Sequence, residues 1–337
     1  MTHPTPVVAL DVGGTKLAVR ADVDGACVHE RTLPWPRDGG VDDDLVLLER
    51  AVREAIAALD PALPAGRSGP SAAEGDTWAP RPGPGRRRTP AVRVGIAAAP
   101  NVGADGVVVA WPNRPGWVGR ALGAVVARGA GVDPADVLFG DDATLAALAE
   151  AASFGGRDLV YLGVGTGVGG GLVCGGRLLT GAWGTAGELG HLQVDPAGPR
   201  CRCGAHGCLQ AVVSGPALAA YASDLRGSPV TTYDLVAAAA RSAPWAESTL
   251  DHAADRIARA LSLLVEVVQP AEVRIGGGLG AALPALPGRV ARRLAVAVRA
   301  GRPLPEVLPA GHGAHSSLAG AALLAAHGPR WALGEGR

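Results

Sequence analysis

Three of the five cysteines, Cys201, Cys203 and Cys208, crowd into eight residues. An odd total with that spacing reads as metal binding before disulfides. Two glycine-rich turns, Gly13-Gly14-Thr15-Lys16 and Gly165-Thr166-Gly167, each follow a short apolar run. Glycine lets backbone N–H groups approach and point at an anion, so both turns can cradle phosphate. Neither fits the GxxxxGK[ST] loop. GTGVGG at 165–170 does fit GxGxxG, but strand-like GLVCGG follows it where a dinucleotide site needs a helix. Asp11 closes the first apolar run, and Asp142 stands where a helix N-cap belongs.

These groups need elements to hold them. VVAL at 7–10, LAVRADV at 17–23 and ACVHERTL at 26–33, separated by tight turns, predict an antiparallel meander. Leu48, Val52, Ile56 and Leu59 share one face of a helix predicted over 43–59. A strand follows at 92–99, then a helix at about 119–129. A strand, turn and helix span 136–150, and a strand, glycine turn and strand span 159–181 with the layout of residues 7–20. A glycine-bearing hairpin therefore occurs twice, about 150 residues apart, which predicts a duplicated domain with one nucleotide cleft between the copies. Ile257, Leu261, Leu264 and Val268 mark a long amphipathic helix that leads to the strand EVRIGG and a turn at Gly276-Gly277-Gly278. Residues 61–90 hold seven prolines and five glycines and carry three consecutive arginines near their end; they read as a flexible surface insertion.

The 337 residues carry 31 basic and 31 acidic side chains, 48% hydrophobic residues and 18% charged ones. That is a globular chain, large enough for about two domains. Zero net charge argues against a nucleic-acid binder that neutralises phosphates. No apolar run approaches the length of a membrane span, and the N-terminus lacks a signal-peptide pattern, so a cytoplasmic protein with no membrane partner is expected. Aromatics are 4% against 50 glycines, so the core must be mostly Ala, Val and Leu. Cys27 and Cys174 read as ordinary buried cysteines.

Together DVGGTK at 11–16, GTGVGGG at 165–171, GELGH at 187–191 and CRCGAHGC at 201–208 resemble the ROK family of repressors and sugar kinases. The resemblance spans nearly the whole chain outside the insertion. It implies an α/β chain of the actin-like, ribonuclease H-like ATPase fold: two α/β domains, each on a five-stranded mixed sheet, with ATP and sugar in the cleft. The expected division is residues 1–118 plus about 315–337, with the last helix returning to the N-terminal domain, against 119–314, which carries the zinc loop. Asp142 is implied as the catalytic base. Asp11 would hold Mg²⁺ through water. Gly13, Gly14, Thr15, Lys16, Gly165, Thr166 and Gly167 would face the ATP phosphates, and Gly276, Gly277 and Gly278 the adenosine. His191 with Cys201, Cys203 and Cys208 would form a closed structural Zn²⁺ set. Family members are usually dimers or tetramers, so a homodimer or homotetramer is implied.

The implied sugar ligands are Asn101, Asn113, Asp141, Asp142, Glu188, His191 and Gln210. Two of them depart from the family pattern: Asp141 stands where Asn is usual, and Gln210 where Glu is usual. An ionised Asp only accepts hydrogen bonds, whereas Asn also donates. The resemblance puts position 141 on the O3/O4 side of the sugar and position 210 on the O1/O2 side. The site has thus gained negative charge near C3, which suits an ammonium group there. The expected reaction is ATP-dependent 6-phosphorylation of an amino sugar such as kanosamine (3-amino-3-deoxyglucose), an activity tied in this family to antibiotic biosynthesis. An ordinary glucokinase is the alternative, and a non-catalytic sugar-binding protein the alternative of another class. A repressor is not expected, because Asp11 follows only ten residues, with no room for a DNA-binding module.

Overall fold

The computed structural model describes residues 6–36, 40–59, 92–103, 105–155, 158–182 and 186–329. The insertion expected at 61–90 lies outside the described residues. Contacts group the chain into two compact units, Met1–Phe139 and Gly140–Arg337, a different grouping from the 118/119 division expected above.

The first unit opens with the expected meander: β1 (Val7–Val12), β2 (Lys16–Val23) and β3 (Ala26–Pro34). β1 is buried along its length, and β2 nearly so, because both run through the middle of a sheet. Helix α1 (Val41–Leu59) buries Leu48, Ala51, Val52, Ala55 and Leu59 on one face. Then come β4 (Arg93–Ala98), a two-stranded hairpin of β5 (Asn101–Val102) and β6 (Val108–Ala110), helix α2 (Leu122–Ala130) and β7 (Val137–Asp141). The sheet order is β3-β2-β1-β4-β7, with β1 antiparallel to β2 and parallel to β4. Cys27 lies on β3 and is exposed, and Cys174 is half-buried. The expectation that both are buried fails, because β3 is an edge strand and Cys174 sits at a strand end.

The second unit repeats the plan. Helix α3 (Asp142–Phe154) precedes the strands β8 (Leu159–Val164), β9 (Val168–Cys174) and β10 (Arg177–Leu178). Helices α4 (Leu209–Val213), α5 (Gly215–Arg226), α6 (Thr232–Ala239) and α7 (Pro244–Val267) follow. The chain ends in β11 (Glu272–Gly276), α8 (Gly277–Ala282), α9 (Leu286–Ala297), β12 (Glu306–Pro309) and α10 (Ser316–His327). Sheet order is β10-β9-β8-β11-β12, the order of the first sheet position for position, and the pairings of β8 with β9 and β11 repeat those of β1 with β2 and β4. The duplication read from the two glycine hairpins is present in the topology. The turn expected at Gly276–Gly278 is instead a junction: Gly276 ends β11, and Gly277, at φ 77°, turns the chain into α8. No helix among the described residues is long and apolar enough to cross a membrane.

Helix α3 is held from two sides. Its buried Glu150 accepts hydrogen bonds from the Gly311 N–H (2.8 Å), the His312 N–H (3.0 Å) and Ser316 Oγ (2.8 Å), which docks α10 on α3. The other side is the glycine run of β9. Side chains of a strand alternate between faces. A Cβ on Gly171 would fall 2.6 Å from Ala147 Cβ, and one on Gly169 2.8 Å from Ala143 Cβ; on the opposite face, one on Gly170 would fall 2.4 Å from Leu189 Cγ. Bare backbone thus lets α3 approach one face of the strand and the 187–191 segment the other. Gly171→Ala is therefore expected to force α3 off the sheet and destabilise the protein by about 1–3 kcal/mol. A thermal melt checks this, and an unchanged melting temperature contradicts it.

Candidate functional site

In the first unit, the β1–β2 turn closes on a hydrogen bond from the Gly13 N–H to the Lys16 carbonyl (3.0 Å), and Asp11 is buried on the strand just before it. Asn113 belongs to the segment after β6, and its Nδ2 lies 2.6 Å from where a Gly14 Cβ would be. A proposed sugar ligand and a proposed phosphate turn therefore touch. Asn101 pairs opposite Ala110 at the start of the β5–β6 hairpin.

In the second unit, the N-cap of α3 is Asp141, not Asp142. Asp141 Oδ2 accepts the Thr144 N–H at 2.8 Å, while Asp142 is the first helical residue. The reading of Asp142 as a cap is corrected by one position, because the residue of extended backbone is the one whose side chain can reach back to the third helical amide. Asp142 sits one position further in, at the first helical residue. Its Oδ1 lies 4.0 Å from where a Gly169 Cβ would be, over the glycine strand. Glu188 is held above the usual glutamate range, chiefly by desolvation and then by the negative charge of Asp141, with His191 acting the other way.

The second glycine turn closes through the Gly165 N–H to the Gly167 carbonyl (2.9 Å), and the Gly165 carbonyl accepts the Gly215 N–H (2.8 Å) from the start of α5. β8 and β11 are parallel, with Gly163 opposite Gly276. Their glycine ends are therefore adjacent: Gly278 N lies 3.9 Å from where a Gly165 Cβ would be. The second glycine turn and the Gly276–Gly278 junction thus lie side by side.

His191, Cys201, Cys203 and Cys208 each offer one ligand atom, all within 4.8 Å of one another. Cys203 Sγ lies 3.7 Å from Cys208 Sγ, and Cys201 Sγ 3.8 Å from His191 Nδ1. Adjacent sulfurs of a tetrahedral site with metal–sulfur bonds of about 2.3 Å stand about 3.8 Å apart, so these residues fit a four-coordinate metal ion. They leave no open position for water, which suits a structural role. Arg256 on α7 also fixes this segment through Asp195 (3.1 Å). Sequence reasoning missed the role of Gln210: its Nε2 donates to Cys201 Sγ at 3.4 Å, and its Oε1 lies 3.4 Å from where a Gly167 Cβ would be. Burial pushes the Cys201 thiol up, but hydrogen bonds from Gln210 and Cys203 bring it below the usual thiol range. The signal was present in the sequence, since position 210 offers a carboxamide donor where a carboxylate offers none.

A model of the ROK family matches residues 86–327. The chain belongs to the ROK family. It is 39% identical over 322 residues to kanosamine kinase of Amycolatopsis mediterranei, covering 94% of this chain and 95% of that protein. It is 33% identical over 325 residues to N-acetylmannosamine kinase of Salmonella typhi, covering 94% and 97%. Among solved structures, the ROK family glucokinase from Streptomyces griseus in complex with glucose and AMPPNP superposes with a TM-score of 0.74 at 26% identity, covering 95% of this chain and 99% of that one. The ROK hexokinase from Thermus thermophilus gives 0.68 at 31% identity, covering 95% and 98%. The fold is the actin-like ATPase fold of these ROK proteins.

Partners that hydrogen-bond to metal ligands set affinity. Gln210→Glu removes the donor to Cys201 and places a negative charge beside the thiolates. It is expected to weaken metal retention about 10- to 100-fold, read by chelator competition with Co²⁺ as the spectroscopic probe. Equal retention in both proteins contradicts the role given to Gln210.

Proposed function

We propose that this ROK-family sugar kinase transfers the γ-phosphoryl group of ATP to the 6-hydroxyl of an amino sugar such as kanosamine, with Asp142 as general base. The observation that carries the amino-sugar reading is the acidic grouping at the start of α3. Asp141 is capped in place by its bond to the Thr144 amide, and its charge raises the proton affinity of nearby Glu188. Two neighbouring carboxylates are a poor match for a neutral hexose alone and a good one for a hexose bearing an ammonium group. The 39% identity to kanosamine kinase over nearly the full chain supports the same reading.

Phosphoryl transfer asks a protein chiefly for positioning and charge stabilisation. Asp142 accepts the proton of the 6-hydroxyl as its oxygen attacks phosphorus in line and the bond from phosphorus to the β,γ-bridging oxygen breaks. Half-burial in the first turn of α3 suits Asp142 to that task, since a base must reach the hydroxyl while most water is excluded. Backbone amides of Gly13–Lys16 and Gly165–Gly167 bind phosphate oxygens, and Gly276–Gly278 lie against adenosine. Asp11 would hold Mg²⁺, which offsets phosphate charge. Asn101, Asn113, Glu188 and His191 orient the sugar hydroxyls. Because His191 turns Nδ1 toward Cys201, its Nε2 is left to meet the sugar, so the metal set, with Zn²⁺ as its ion, fixes a sugar ligand without entering the reaction. The expected setting is cytoplasmic, with a second copy of the chain as the expected partner.

ADP release with a panel of sugars tests the activity. Asp142→Asn is expected to lower kcat about 10²- to 10⁴-fold, and a variant with wild-type turnover removes Asp142 as the base. Asp141→Asn keeps the cap and loses the charge. It is expected to shift the kcat/KM ratio of kanosamine to glucose about 10- to 100-fold toward glucose, the equivalent of about 1.5–3 kcal/mol for a charge-assisted hydrogen bond. The same change should move the acidic limb of the glucose KM profile to lower pH. Glu188 loses its accepting form as pH falls through its raised value, and removing the Asp141 charge lowers that value. An unmoved ratio and an unmoved limb contradict the charge argument.

A further inference from the structure

Three tryptophans of a chain with few aromatics lie in one buried block behind the first phosphate turn. Trp35, Trp111 and Trp117 pack with ring centroids 6.2 Å (35–111), 6.1 Å (35–117) and 5.4 Å (111–117) apart. Trp35 grips the turn twice: its indole Nε1 donates to the Gly13 carbonyl at 2.7 Å, and its backbone N–H donates to the Thr15 carbonyl at 3.3 Å. The guanidinium of Arg114 lies over the Trp35 ring, 5.0 Å from its centroid. Arg114 also pairs with Asp44, a buried carboxylate on α1 that accepts the Trp117 Nε1–H at 2.9 Å through the same oxygen.

Arg114 directly follows Asn113, whose amide occupies the space a side chain on Gly14 would need. The segment 111–117 and the turn 13–16 are therefore joined at two places. One is the direct approach of Asn113 to Gly14, and the other is the path from Arg114 through Trp35 to the Gly13 carbonyl. Close-packed side chains pass on displacements instead of absorbing them. A ligand that fixes Asn113 must also fix the carbonyls that set where the turn's amides point.

We propose that Trp35, Arg114 and Asp44 are positioning residues that couple sugar bound at Asn113 to the phosphate-binding geometry of Gly13–Lys16. The inference rests on the placement of sugar and phosphates given under Proposed function. It adds that the two ligands bind cooperatively through this block, with no need for either to touch Trp35. Coupling between binding sites is reciprocal, so sugar and nucleotide must tighten each other by one common factor.

The test measures the Kd of a non-hydrolysable ATP analogue by calorimetry, alone and with saturating kanosamine or glucose, and then the sugar Kd with and without the analogue. In the wild-type chain the common factor is expected to be about 5 or more. Trp35→Phe keeps the ring packing and deletes the indole donor, and its factor is expected to fall toward 1, with the sugar Kd measured alone moving less than the factor does. Arg114→Lys keeps the charge opposite Asp44 and loses the planar group stacked on Trp35; it carries the same expectation and serves where Trp35→Phe does not fold. If both variants, or the one that folds, retain the wild-type factor, or if the wild-type factor is 1, the relay is overturned while the kinase reading stands on sugar-dependent ADP release. If the wild-type chain shows no sugar-dependent ADP release, the functional reading falls and the relay with it.

Discussion

The second unit depends on the absence of side chains along β9. Two structures need the same strand. Helix α3, which begins with Asp142, packs on one face across Gly169 and Gly171, and the segment carrying Glu188 and His191 packs on the other across Gly170. A layered protein ordinarily spaces a helix about 10 Å from a sheet because both carry side chains. Here the glycines remove one layer, so the start of α3 and the 187–191 segment both come close to the strand that leads from the Gly165–Gly167 turn. Glu150 then fixes α3 from behind, with three hydrogen bonds from the chain that leads into α10. Breaking a satisfied buried carboxylate of that kind is costly, since it strands either the charge or the backbone amides.

The sequence was readable where local chemistry decides the outcome. Tight turns between apolar runs gave the first meander, and its echo at 159–181 gave the duplicated sheet, because strand period and glycine turns are local signals. The three clustered cysteines pointed to a metal site for the same reason, and the structure brings them together with His191 as a set that could hold an ion. The places where reading failed are those that tertiary packing decides. The glycines of 169–171 continue the same run as the turn at Gly165–Gly167, and their packing role, bare backbone against α3 and the 187–191 segment, is one that no spacing rule distinguishes. Cys27 was expected inside because cysteine usually is, but position on an edge strand settles its exposure.

Gln210 illustrates why a substitution in a ligand pattern can serve two neighbours at once. Its amide nitrogen meets a metal-ligand sulfur, while its oxygen faces the glycine turn. A carboxylate at this position would set a negative charge beside the thiolates, which the carboxamide avoids. On the proposed placement of the sugar, an uncharged residue at 210 and a charged one at 141 would set the negative potential on its O3/O4 side.

The identity of residue 141 cannot be assigned to helix capping. Asp and Asn cap helix N-termini about equally well, and the bond to the Thr144 amide needs only a side-chain oxygen. The helix dipole favours Asp by about 0.3–1 kcal/mol near a surface, but Asp142 adds a second carboxylate in the same turn and Glu188 feels the added charge as repulsion. Asp141 thus gains little for the fold and works against a neighbouring acid, which is the feature the amino-sugar proposal addresses. An ammonium group set between Asp141 and Glu188 would turn that repulsion into two attractive contacts. On the amino-sugar proposal, selectivity would come from relief of the repulsion between Asp141 and Glu188 as much as from any single hydrogen bond.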